Sequence, residues 1–154
     1  KLLLPYNYKY MYTGFTHLHK MFFYIVFAIL VVSTVKFILG WLGKKEFMPI
    51  DKKLATFTVI VVHIQVLIGL GLYFISPLIK SAYQDIGAAM KDASVRFYLV
   101  EHMSLMIIGA VLITIGSIKS KKATESQAKF KTLALFFSIG FVLVLSRIPW
   151  ERIF

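Results

Sequence analysis

Apolar positions along the chain gather into four long, nearly unbroken stretches, at about 21–42, 54–79, 97–118 and 132–148, with short polar or basic segments between them. A helix needs roughly 20 apolar residues to cross a bilayer core at about 1.5 Å per residue. Three stretches meet that length outright, and the fourth does so with Thr132 and Ser146 at its edges. The pattern predicts an all-α fold, a four-helix transmembrane bundle. No internal repeat and no Gly/Ser-rich or Pro-rich linker divides it, so residues 1–154 read as a single integral membrane domain.

The connections carry patterns of their own. From Pro77 to Arg96 the residues Leu78, Ile79, Ala82, Tyr83, Ile86, Ala89, Met90 and Ala93 recur at helical spacing, which predicts an amphipathic interfacial segment between spans two and three. The alternative is that its first half merely prolongs span two before turning. Tyr6, Tyr8, Tyr10 and Tyr12 alternate with other residues ahead of Phe15, placing an aromatic anchor at headgroup level or an extended strand open to another chain. Asp51 is the expected cap of the second helix. The chain begins at Lys1 without an initiator methionine, so a preceding or removed segment stays open.

Composition strengthens the membrane reading. Apolar residues make up 58% of the chain and charged residues 16%, where a soluble domain carries about 45–50% and 25%; the mean hydropathy is +0.76. The absence of cysteine excludes disulfides, thiolate metal sites and iron–sulfur clusters. A net charge of +11 would suggest nucleic acid in a soluble protein, but here the cations lie in short runs between spans and read as lipid anchors. Nine Lys/Arg occupy the first and third connections, eight lie in the N-terminal segment, second connection and tail, and Lys36 lies within span one. The nine are compact and adjacent to helix ends, so the positive-inside rule puts both basic turns in the cytoplasm and both termini outside.

Chemistry must reside in the few polar groups inside the spans, since burying one costs several kcal/mol unless it is paired or used. These are His63 and Gln65 in span two, Glu101 and His102 early in span three and Arg147 late in span four, with His17 and His19 just before span one. Gln65, Glu101 and Arg147 read as a structural polar cluster, with Arg147, His19 or Arg96 as the partner of Glu101. Four histidines without cysteine suggest haem b between imidazoles. Gly109 and Gly116 follow His102 at seven-residue intervals and read as a bare groove for a flat macrocycle, although close helix approach is the simpler account of such glycines, Gly69 and Gly71 included. Counting depth from span midpoints separates His63 and His102 by roughly 13 Å and His19 and His102 by roughly 9 Å, so the second pair fits one haem better.

Other readings stay open. His17, His19 and His102, with Glu101, supply donor types for a metal, but His17 and His19 point apart unless the backbone there is extended. His63 beside Gln65 reads as an interhelical hydrogen-bonding pair or as a quinone contact. No serine or threonine is placed with a base for hydrolysis, and no filter-like or ring-forming acidic segment suggests a pore. The chain is therefore expected to be a redox or accessory subunit rather than a stand-alone enzyme.

A set of short pieces carries a family resemblance across most of the chain. They are His17-Leu18-His19, Asp51-Lys52-Lys53-Leu54, His63-Ile64-Gln65 with Gly69 and Leu72-Tyr73, Arg96-Phe97, Glu101-His102 with Met106, Lys121-Lys122-Ala123 and Ile148-Pro149-Trp150. In their order and spacing the chain resembles a family of small four-span bacterial membrane proteins usually labelled as candidate b-type cytochromes. The family commonly has proline after its Glu-His pair, where this chain has Met103. The resemblance implies a bacterial inner-membrane protein with haem b held among His19, His63 and His102, working in quinone-linked electron transfer or haem handling. The competing expectation is a cofactor-free accessory or scaffold subunit of a larger membrane complex.

Overall fold

Helix boundaries follow capping chemistry more closely than they follow the ends of the apolar stretches. The computed structural model describes residues 6–153, with side chains described for 8–151. The first helix, α1 (Tyr6–Leu42), starts well before its apolar stretch, so the tyrosine-bearing lead-in continues the span as helix and is not a strand. The side chain of Tyr6 and residue Lys1 lie outside the described residues. Thirty-seven residues make α1 about 55 Å long, more than the bilayer's hydrocarbon core of about 30 Å.

Lys44 ends α1 in the left-handed region, at φ 47°. The N–H groups of Lys45 and Lys44 then reach the carbonyls of Gly40 and Trp41 at 3.0 and 3.3 Å, the paired bonds of a Schellman ending. The next helix, α2 (Pro49–Ile75), opens with Pro49 in its first turn and Met48 as its N-cap. Asp51 thus acts from inside the helix rather than as the cap itself: its Oδ2 accepts the Met48 N–H at 2.8 Å. Its other oxygen lies 3.1 Å from Lys36 Nζ, which gives the charge inside span one a partner.

Span two stops at Ile75, short of the expected 79, because Ser76 and Pro77 break it. The amphipathic segment is three short helices, α3 (Pro77–Ala82), α4 (Ile86–Lys91) and α5 (Ala93–Arg96), not one. Each has its own cap. Ser76 Oγ accepts from Ile79 N–H, Asp85 from Ala88 N–H, and Asp92 from the N–H groups of Ser94 and Val95. Ile79, Ala82 and Ala89 bury themselves with Leu99 in a small satellite core against Tyr73, Val95 and Tyr98, while Tyr83, Ile86 and Met90 stay exposed. A π-helical turn, Phe97–Glu101, then leads into α6 (His102–Lys122), followed by α7 (Ser126–Ser146) and the short α8 (Trp150–Ile153).

Four helical runs are long and apolar enough to cross a membrane: Tyr8–Leu42, Pro49–Ile75, Ala93–Lys122 and Ser126–Ser146. They form an all-α four-helix bundle in which α1 packs on α2 and α7, and α6 packs on α7 and α2. The centre is held by Leu30, Phe37, Ile113, Leu133 and Phe137, all essentially inaccessible, with the Phe37 and Phe137 rings edge to face at 5.0 Å. Between α1 and α2, Thr58 donates to Leu54 O at 2.8 Å, so Ser33 must be the donor in its 2.7 Å bond to Thr58. The outside is apolar too: Leu67 and Phe74 are 67% and 71% exposed. Such a surface requires lipid, and the chain is a multi-pass membrane protein.

Both basic turns lie at one end, tied by Phe47 N–H to Ser126 Oγ at 3.0 Å and by Gln127 Nε2 to Lys45 O at 3.3 Å. The opposite end holds the start of α1, the three short helices and the π turn. There the Tyr8 hydroxyl bonds Ile75 O, and Lys80 Nζ lies 4.5 Å from the Tyr8 ring centre.

Candidate functional site

At the end away from the basic turns, α1, α2 and α6 diverge around a cleft of about 1500 Å³, its open mouth included. Phe23, Val26 and Leu30 form one wall, Val62, Val66 and Leu70 a second, and Met103, Met106 and Ile107 a third. Two imidazoles project into this apolar space. The rings of His19 and His102 have centres 6.4 Å apart and planes inclined at 77°.

Each ring has a built seat. His102 Nδ1 lies 2.7 Å from Arg147 O, and a carbonyl can only accept, so Nδ1 carries a proton and in the neutral ring Nε2 keeps its lone pair. His19 rests against the bare backbone of Gly69, where a Cβ would come within 3.0 Å of His19 Cε1. Gln65 Nε2 donates to His19 O at 3.0 Å. Two buried polar atoms beside the cleft, His19 Nδ1 and Gln65 Oε1, have no hydrogen-bond partner, an arrangement that costs stability unless a ligand completes it.

Beside His102 lies a charge cluster. Glu101 bonds Arg96 Nε at 3.0 Å through Oε1 and faces Arg147 Nε at 3.4 Å through Oε2. Arg96 and Glu101 are five residues apart, a spacing that an α-helix turns to different faces and a π turn aligns. The His102 N–H bonds Phe97 O across that turn. Tyr73 closes the mouth, donating to Leu99 O at 3.1 Å and sharing a 3.0 Å hydroxyl contact with Tyr83.

The remaining candidates lie elsewhere. His17 is exposed, two residues from His19 on a helix and so on nearly the opposite face. The triad His17, His19 and His102 is therefore not assembled, and among the described residues no group of three or more His, Cys, Asp or Glu side chains could hold a metal ion. His63 is exposed on the outer face of α2, its Nδ1 bonded to Val59 O at 2.8 Å. Gln65 joins His19 and not the Glu101–Arg147 cluster. Gly109 and Gly116 do not line the cleft: α7 fills the groove they leave. A Cβ on Gly109 would lie 3.1 Å from Gly140 O, and one on Gly116 only 2.4 Å from Phe136 Cβ.

The offset of roughly 9 Å counted from span midpoints is not kept, the ring centres being 6.4 Å apart, because α1 starts well before its apolar stretch and the helical run of span three begins at Ala93. Sequence reading gave Gly69 only as a close-approach glycine and Tyr73 only as part of a shared piece, and it missed the π turn. The Gly69 signal was its position one helical turn beyond Gln65. Comparison with protein-family models, curated proteins and solved structures finds no match to the chain.

Proposed function

We propose that this chain is a membrane-embedded haem b-type subunit of quinone-linked electron transfer or haem handling, with His19 and His102 as its ligand pair. The observation that carries this reading is the geometry of the two rings. Two imidazoles that share one metal at roughly 2 Å per bond have ring centres about 6 Å apart, and these stand at 6.4 Å above an apolar cleft. The partnerless His19 Nδ1 and the free lone pair of His102 Nε2 fit a group that takes neutral nitrogen donors.

The protein's own contribution is orientation. Arg147 O holds the His102 tautomer, and the Gly69 backbone gives the His19 ring its place. A bound haem supplies one-electron transfer. Gln65 Oε1 offers a nearby acceptor suited to a quinol hydroxyl. The compact basic turns support an inner-membrane orientation with those turns cytoplasmic.

The test is an optical spectrum with a pyridine haemochrome assay and metal analysis on the purified full chain. A Soret band with close to one haem per chain is expected. No Soret band and no haemochrome would overturn the reading and leave the cofactor-free accessory or scaffold subunit in its place.

A further inference from the structure

At the end opposite the histidines, a second and smaller cavity of about 360 Å³, open mouth included, lies among Phe47, Lys52, Ala55, Ser120, Lys121 and Lys129. Its lining draws one lysine from each of three helices, Lys52 of α2, Lys121 of α6 and Lys129 of α7. None of the three has an acidic partner among the described residues. Asp51, the acid closest in sequence to Lys52, is already committed to Lys36. Lys129 turns its ammonium over the Phe47 ring at 5.4 Å. Like charges lining one cavity without an ion-pair partner repel one another, and an anion among them offsets that repulsion.

The surroundings decide what kind of anion. The floor is the buried Ala55 and Ser120 with the half-buried Phe47, and the Ser120 hydroxyl is turned back onto Ser117 O at 2.9 Å, so only the lysines donate into the space. One and three turns deeper on the Lys121 side of α6, Ile118 and Val111 are about half exposed. A small cationic cup therefore lies one turn from an exposed apolar strip on the same helix, near the end of a candidate span. An anionic phosphodiester with acyl chains matches both parts, whereas a soluble phosphate matches only the cup.

We infer that Lys52, Lys121 and Lys129 form a headgroup site for an anionic phospholipid, whose chains lie along Ile118 and Val111 of α6. The site is independent of the haem reading, since it shares no residue with the histidine cleft.

The test is native mass spectrometry of the full chain in neutral detergent, titrated with phosphatidylglycerol, phosphatidylcholine or inorganic phosphate. Wild type is expected to retain phosphatidylglycerol over phosphatidylcholine by about tenfold. The variant Lys52→Gln/Lys121→Gln/Lys129→Gln is expected to lose that preference. The variant Lys45→Gln/Lys53→Gln/Lys122→Gln removes equal charge from the same end and is expected to keep it. Lys121→Arg, which preserves charge, is expected to retain binding and guards against a folding artefact. Equal loss in both triple variants overturns the site in favour of diffuse surface charge. Equal retention of phosphatidylcholine overturns it as an anion site, and displacement of phosphatidylglycerol by millimolar inorganic phosphate overturns the lipid assignment in favour of a soluble anion.

Discussion

His19 and His102 meet edge to face, with 6.4 Å between ring centres, although one belongs to the opening turns of α1 and the other to the first residue of α6. Arg147 O fixes the second ring and the bare backbone of Gly69 admits the first. The contact joins all four long helices at one level, because α2 contributes Gly69 and the end of α7 contributes Arg147.

Replacing either member of the pair should abolish haem retention in the proposed function. His19→Ala and His102→Ala are each expected to remove the Soret band. His63→Ala, on the outer face of α2, is expected to leave it unchanged. Absorbance ratios on purified variants check this, and loss of the band in His63→Ala would sink the assignment of the pair.

Gly69→Ala separates site geometry from stability. Alanine favours a helix interior over glycine by about 1 kcal/mol, so the melting temperature should hold or rise slightly. The added Cβ, 3.0 Å from His19 Cε1, should displace that ring. The expected result is an altered ligand-field spectrum in a protein that melts no lower than wild type.

Two other glycines should behave in opposite ways. Gly116→Ala drives a methyl group to 2.4 Å from Phe136 Cβ and forces α6 from α7; about 1–3 kcal/mol of destabilisation is expected. Gly14, with nothing within 4 Å of a built Cβ, should accept alanine with a gain of up to about 1 kcal/mol. Thermal unfolding in a single detergent compares them.

Lys44→Gly should stabilise the chain. Lysine at φ 47° in the ending of α1 occupies a conformation that costs an L-residue about 1–2 kcal/mol and glycine almost nothing. Glycine is freer in the unfolded chain, so a net gain of about 1 kcal/mol is expected by the same melting measurement.

Asp92 predicts an acid-sensitive α5. Its carboxyl is held below the usual carboxylate range, chiefly by the Val95 N–H and then by the hydroxyl and N–H of Ser94. A lowered folded-state pKa means the contribution is present above the ordinary carboxylate pKa and disappears as pH falls through the lowered value. Hydrogen-exchange protection at Ser94 and Val95, corrected for intrinsic rates, should fall across that acidic range. In Asp92→Asn the protection should be independent of pH.

Much of the fold was legible because lipid imposes a simple demand: a span must be long, apolar and helical, and the stretches at 21–42, 54–79, 97–118 and 132–148 each became one. Local chemistry shifted their edges. Ser76, Asp85 and Asp92 each offer a side-chain acceptor to a new helix start, and those caps cut the amphipathic segment into three although its apolar spacing was continuous. The site was legible only as residue types. Seven-residue spacing put Gly109 and Gly116 on one face but could not say whether a cofactor or α7 occupies it. Periodicity also placed His63 and Gln65 in one span without revealing that one faces outward and the other touches His19. Those outcomes depend on helix rotation and packing, which no local pattern encodes.

The π turn at Phe97–Glu101 works as a vernier on span three. It holds one residue more than an α-helical turn, so deleting a residue there restores an α-helical turn and leaves the flanking residues on nearly the same faces. Arg96 would then stand four residues before the carboxylate and still face it, since an α-helix brings i and i+4 to one side. The charge cluster and the imidazole pair thus keep their register through the loss of one residue, a tolerance that an uninterrupted α-helix does not have.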